Sequence, residues 1–184
     1  QRVVQITGTS QAVETLISDA DHQWRVLISD TFENVSSTWA TGTDDDTYAT
    51  IVRRGVDGRY QWNATSKKGL LSRIDANHLP LEDFYVSVVA ERTSGSSASD
   101  YGLVFREDTR GNFYYFGVGD EGYFVSVFDD GEWIDVVEFT YSSVIEPGEK
   151  NRISVIGRGS YFIFMINDVI VDAAIDDHIA AGTT

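Results

Sequence analysis

Short stretches of apolar/polar alternation, each closed by a tight-turn signal, follow one another from Trp24 almost to the end of the chain. They are Val26–Ser29, Tyr48–Val52, Tyr60–Ala64, Leu70–Ile74, Phe84–Glu91, Tyr101–Arg106, Phe113–Val118, Tyr123–Phe128, Trp133–Phe139, Arg152–Ile156, Tyr161–Ile166 and Val169–Ala173. Between them stand Asp57-Gly58, Arg110-Gly111-Asn112, Glu121-Gly122, Asp130-Gly131, Pro147-Gly148 and Asn167-Asp168. Asp-Gly and Asn-Asp pairs accept the positive φ that two-residue hairpins require. Many short strands at roughly 8–12-residue spacing predict an antiparallel sandwich or barrel, not a helical bundle or a parallel βαβ sheet.

One stretch departs from this pattern. Ser10–His22 reads SQAVETLISDADH, and the spacing of Ala12, Val13, Leu16, Ile17 and Ala20 predicts a short helix capped by Ser10. The expected organisation is an N-terminal arm or helical lead over residues 1–23 and a β-sandwich over residues 24–184. The two-residue period assigns faces. In Tyr101–Arg106, Leu103 and Phe105 point to the core, while Gly102, Val104 and Arg106 point the other way. In Phe113–Val118, Tyr114, Phe116 and Val118 oppose Phe113, Tyr115 and Gly117.

Composition narrows the function. With 29 acidic and 14 basic residues the formal net charge is -15, which argues against phosphate-backbone binding and against docking on anionic lipid. No apolar run is long enough to span a bilayer. The absence of cysteine excludes disulfides, a thiolate nucleophile and a Cys-ligated zinc site. Gln1-Arg2-Val3-Val4 opens no signal-peptide pattern.

The run YGLVFREDTRGNFYY from Tyr101 to Tyr115, the Gly131–Trp133 turn, and PGEKNRISVIGRGSYFIFMINDVIV from Pro147 to Val171 come in an order that resembles the concanavalin A-like lectin/glucanase superfamily. The bacterial branch near laminin-G-like domains and the 3-keto-disaccharide hydrolase family is the most similar. Gly102, Leu103, Phe105 and Arg106 match its G-L-x-F-R strand, and Gly111, Asn112 and Tyr114 its G-N-x-Y hairpin. Asn151-Arg152 matches its N-R strand, and Phe164, Ile166 and Asn167 its last hairpin, with Asp168 in place of the usual glycine. Asp30-Thr31-Phe32 and Trp39 match its entry. The resemblance implies a jelly-roll sandwich and an extracellular or cell-surface setting. It also implies a closing strand after Ala181; either that strand lies beyond Thr184, or another segment fills its slot, the strand-like Arg2–Ile6 being the candidate, here or in a neighbouring copy.

Glycosidases of this superfamily carry an E-x-D-x-E strand. None is present: the two-residue period puts Glu132 and Asp135 on opposite faces, and Asp135 and Glu138 likewise. A non-catalytic module that binds carbohydrate or a protein ligand is therefore the leading expectation. A glycoside hydrolase with carboxylates from separate strands and a subunit assembled by strand exchange are the alternatives. Glu91, Arg106 and Tyr115 form the expected ligand cluster on an outward, concave face; a cross-strand ion pair on a solvated sheet gives the same pattern. Trp39, Trp62 and Trp133 are candidate stacking platforms, or partly buried core. Asp44, Asp45 and Asp46 form the candidate cation site, calcium being common in the superfamily. That loop lacks D-x-D-x-D-G spacing, and a solvated acidic loop is the plainer account. His22, His78 and His178 have no metal-ligand spacing.

Overall fold

The protein's computed structural model describes residues 11–34, 39–68, 72–74 and 79–184. Within them lie α1 (Gln11–His22), β1 (Gly42–Asp45), β2 (Ala49–Val56), β3 (Arg59–Ser66), β4 (Phe84–Ala90), β5 (Tyr101–Phe105) and β6 (Phe113–Val118). The order continues with β7 (Gly122–Asp129), β8 (Glu132–Tyr141), β9 (Asn151–Arg158), β10 (Tyr161–Ile166) and β11 (Val169–Ile175). Every named pairing is antiparallel. The protein is thus an all-β sandwich with one short helix, as the alternation predicts.

The chain divides into two compact units, residues 25–76 and residues 1–24 with 77–184. The helix α1 falls in the larger unit. The smaller unit holds the sheet β1-β2-β3. The larger holds two four-stranded sheets, β5-β6-β7-β8 and β11-β10-β9-β4.

Three hairpins follow from their turn dipeptides. Asp57-Gly58 between β2 and β3, Asp130-Gly131 between β7 and β8, and Asn167-Asp168 between β10 and β11 have positive φ at both residues. That is the backbone whose twist matches the flanking strands. The core of the larger unit is the interface of its two sheets. Phe105, Tyr114, Phe116, Val118, Val125 and Val127 from one meet Phe84, Ile153, Val155, Phe162, Phe164 and Ile166 from the other. Aromatic contacts run through it, with Phe105 stacked on Tyr114 at 5.2 Å.

The helix covers the other face of the second sheet. Val13, Leu16 and Ala20, spaced along one stripe of α1, pack against Ile156, Ile163 and Met165. Ile163 and Ile156 are register partners. An amphipathic stripe on a two-sided apolar sheet explains why β9 and β10 read as nearly continuous apolar runs.

Several expectations change. Val26–Ser29 is not a strand, and neither are residues 72–74 of the Leu70–Ile74 stretch. The segment from Gly42 to Asp45, read as loop, is a strand paired with β2. Gly182 bridges Leu81 and Thr183 bridges Glu107, so the C-terminal residues themselves pair with the segment before β4 and the segment after β5. Arg2–Ile6, the Ser10 cap and His78 lie outside the described residues.

Asp172 sits opposite Phe164 in the β10–β11 ladder, and its burial raises its pKa above the ordinary carboxylate value. Because its pKa is higher folded than unfolded, its effect destabilises the protein as pH rises through that interval. Asp172→Asn is expected to raise Tm at pH 7 and to have a smaller effect at pH 4. Thermal denaturation at the two pH values checks this, and an equal shift at both would refute it.

Candidate functional site

The two outer faces of the larger unit are unlike. One carries α1; among the described residues no helix of that unit lies on the other, the outer face of β5-β6-β7-β8. On β6 the outward residues are Phe113, Tyr115 and Gly117, the partners in the alternation of the core residues Tyr114, Phe116 and Val118. On β7 they are Gly122, Phe124, Ser126 and Phe128, opposed to core Tyr123, Val125 and Val127.

On β8 the alternation is interrupted. The β7–β8 register shifts between Tyr123 and Val125 and again between Val125 and Ser126. As a result Val136 and Val137 both reach the core, a local irregularity of the kind that re-aims side chains. Outside the shifts, Trp133 faces Phe128 and Asp135 faces Ser126.

Rings therefore carpet this face. Phe113, Phe128 and Trp133 form a cluster with centroids 5.2–5.5 Å apart. Phe124 meets Tyr115 edge-on at 5.6 Å, and Phe139 meets Tyr141 edge-on at 5.2 Å. Two glycines make room for them. A Cβ on Gly117 would lie 2.5 Å from the Phe124 ring, and one on Gly122 would lie 2.7 Å from the Phe139 ring. Trp133, Phe139 and Tyr141 are 51%, 54% and 75% exposed, far more than isolated ring burial would leave. Between them the exposed Asp135 accepts a hydrogen bond from the Ser126 hydroxyl at 3.2 Å. Gly117→Val is expected to displace the Phe124 and Tyr115 rings and to lower Tm by several degrees, since overpacking costs about 1–3 kcal/mol. Near-ultraviolet circular dichroism and melting report the change; wild-type spectra in the variant would refute it.

The predicted cluster of Glu91, Arg106 and Tyr115 does not assemble on this face. Glu91 follows β4, which pairs with β9 in the other sheet. Tyr115 does point outward, but its ring is buried, and its hydroxyl donates to Asp100. Arg106 is fully buried in the larger unit. Its φ of 53° ends the strand alternation one residue early, turning the side chain inward. There it donates to the carbonyls of Ile179 at 2.9 Å, Glu82 at 2.6 Å and Gly159. Its guanidinium lies 4.6 Å from the Phe162 ring centroid. Loss of hydration depresses its pKa. Arginine rarely adopts a left-handed backbone, so no local signal marked this inversion.

Trp39 and Trp62 belong to the smaller unit. They pack in a ring cluster with Phe32 and Tyr60, at 5.2–6.1 Å, and Arg53 lies 4.7 Å over Trp62. The Trp39 indole donates to Asp30 at 2.7 Å. These rings are half-buried, and Ala49 and Ile51 are buried aliphatics of the same unit.

Each carboxylate of the acidic loop has a partner within the protein. Strand alternation sends Asp44 and Asp45 to opposite faces of β1. Asp44 pairs with Arg53, and Asp45 pairs with Lys67 at 2.5 Å. Asp46 accepts the Tyr48 and Ala49 amides at 2.7 and 2.8 Å. Lys67 and Thr50 hold Asp45 below the usual carboxylate range, and the two amides do the same for Asp46. Among the described residues no three acidic or histidine groups converge on one point.

The fold has solved counterparts. The chain superposes on the carbohydrate binding module CBM66 from Bacillus subtilis with a TM-score of 0.53, covering 81% of each chain at 17% identity. A sheep galectin-11, in complex with glycerol, gives a TM-score of 0.43 at 13% identity, over 60% of this chain and 90% of that one. The first likeness establishes a shared β-sandwich fold. No protein-family model matches the chain, and no curated protein does.

Sequence reasoning named Trp133 but missed Phe124, Phe128, Phe139 and Tyr141. The alternation of Tyr123–Phe128 already set Phe124 and Phe128 on one face. Phe139 and Tyr141, six and eight residues after Trp133, share its face by the same period.

Proposed function

We propose that the protein is a non-catalytic carbohydrate-binding module, acting outside the cell or at its surface, with its ligand on the outer face of β5-β6-β7-β8. The observation that carries this is the exposure of Trp133, Phe139 and Tyr141 on one face of a single strand. Rings with an apolar body and wet surroundings suit a sugar, whose C–H face stacks while its hydroxyls seek acceptors. Asp135 is such an acceptor, oriented by Ser126. The shared fold with a carbohydrate binding module supports the same role. Binding and not cleavage fits a face made of rings and one oriented carboxylate, since glycoside cleavage takes two carboxyls flanking the bond. The finer kinship with laminin-G-like domains and the 3-keto-disaccharide hydrolase family is part of this proposal and rests on the matching motifs.

The test is a glycan array with wild type, Trp133→Ala and Tyr141→Ala. Losing one stacking contact is expected to weaken binding about tenfold, the equivalent of roughly 1.4 kcal/mol. Absence of binding by the wild type, or unchanged binding by both variants, would refute the assignment.

A further inference from the structure

We propose that β8 is a track for an extended, uncharged polysaccharide chain gripped at two aromatic stations, and not a subsite for a single terminal sugar. This rests on the assignment of the face to carbohydrate and names the class of ligand. The stations are Trp133 near the start of β8 and the Phe139–Tyr141 pair near its end. At the strand's rise per residue they stand about 20 Å apart, farther than a disaccharide reaches. Asp135 lies between them, exposed, as an acceptor for hydroxyls along the way. β8 is also the edge of its sheet, so a row of backbone N–H and C=O groups turns away from β7 and offers further polar partners.

The same features disfavour a protein strand as occupant. Glu132, Asp135 and Glu138 are all exposed on β8, and like charges on facing strands repel. A second copy of a chain of net charge -15 meets that repulsion directly. The two register shifts also break the even spacing an incoming strand would need. The segment EWIDVVEFTY contains no lysine or arginine. Arg110, beside the β7–β8 turn, is engaged by Asp108 and Asp130. Along β8 an acidic polysaccharide therefore meets repulsion and, among the described residues of that strand, no cation to answer it.

The experiment is affinity electrophoresis of the full chain against β-glucan, xylan, mannan, fructan and polygalacturonate. Calorimetry with oligosaccharides from dimer to hexamer of the polymer retained follows. The expected result is retention by a neutral polymer, an affinity at least tenfold higher for hexamer than for dimer, and loss of most of that gain in both Trp133→Ala and Tyr141→Ala. Equal affinity for dimer and hexamer overturns the track while leaving the carbohydrate assignment standing, as does preference for polygalacturonate. Retention by none of the polymers overturns both. Dimerisation in sedimentation that Trp133→Ala abolishes would instead assign the face to a second copy, and overturns the proposal.

Discussion

Arg106→Ala should lower the melting temperature by more than about 10 °C and leave little folded protein at elevated temperature. The side chain is wholly inside the larger unit and its donors serve three backbone carbonyls, those of Ile179, Glu82 and Gly159. These carbonyls lie in three separate connections, after β11, before β4 and between β9 and β10. Removing the guanidinium leaves all three short of a partner, at about 1–3 kcal/mol for each that stays dry. It also empties the space against the Phe162 ring. For a chain of this size 1 kcal/mol moves the melting point by about 2–4 °C, which gives the expected drop. Arg106→Lys should recover only part of it, because one ammonium cannot span three carbonyls held by a planar fork. Differential scanning calorimetry of both variants decides the matter. A change below about 3 °C in Arg106→Ala would mean that water replaces the side chain and that the arginine is dispensable.

Asn151→Ala is expected to cost about 2–4 kcal/mol, a fall of roughly 5–12 °C. Asn151 is fully buried at the start of β9. Its amide donates to the carbonyls of Glu146 and Glu149 and to the Tyr101 hydroxyl, at 2.9–3.2 Å. Its oxygen accepts the Glu146 amide and the Asn167 side chain, each at 2.9 Å. One residue thus joins the loop before β9, the β10–β11 hairpin and β5. Networks of this kind fail together, because every partner left behind is desolvated. Hydrogen exchange adds a second readout: protection should fall at Glu146 and around Asn167 before it falls in β6. Loss confined to residue 151 itself would show that the network does not couple those segments.

The strands of the larger unit were legible because burial on a pleated sheet writes itself into the sequence at a period of two. Phe113–Val118 and Tyr161–Ile166 were read with the bounds they have in the fold. The hairpins were legible because Asp-Gly and Asn-Asp pairs tolerate positive φ. Three kinds of information were not local. Arg106 takes a backbone conformation its side chain does not advertise, so its direction reversed. The register shifts of β8 turned Val137, which shares the parity of Trp133, into the core beside Val136, a reversal that counting cannot supply. Whether Val26–Ser29 is a strand depends on a partner far along the chain, and alternation alone cannot name one. The candidate site suffered most, since it is defined by what lies beside a side chain. Trp133 was visible as a residue, while the ring carpet around it was visible only once β6, β7 and β8 had been aligned.

The exposed Trp133 has an optical consequence. Of the four tryptophans, Trp39 and Trp62 are locked in the ring cluster of the smaller unit, and Trp24 packs against the apolar patch beneath α1. Trp133 alone stands on the β8 face, half open to water. Replacing the other three by phenylalanine would leave a single chromophore whose emission reports that face without any label. A saccharide stacking on the indole would strip water from it and shift its emission to the blue, whereas events elsewhere in the molecule would leave the spectrum in place.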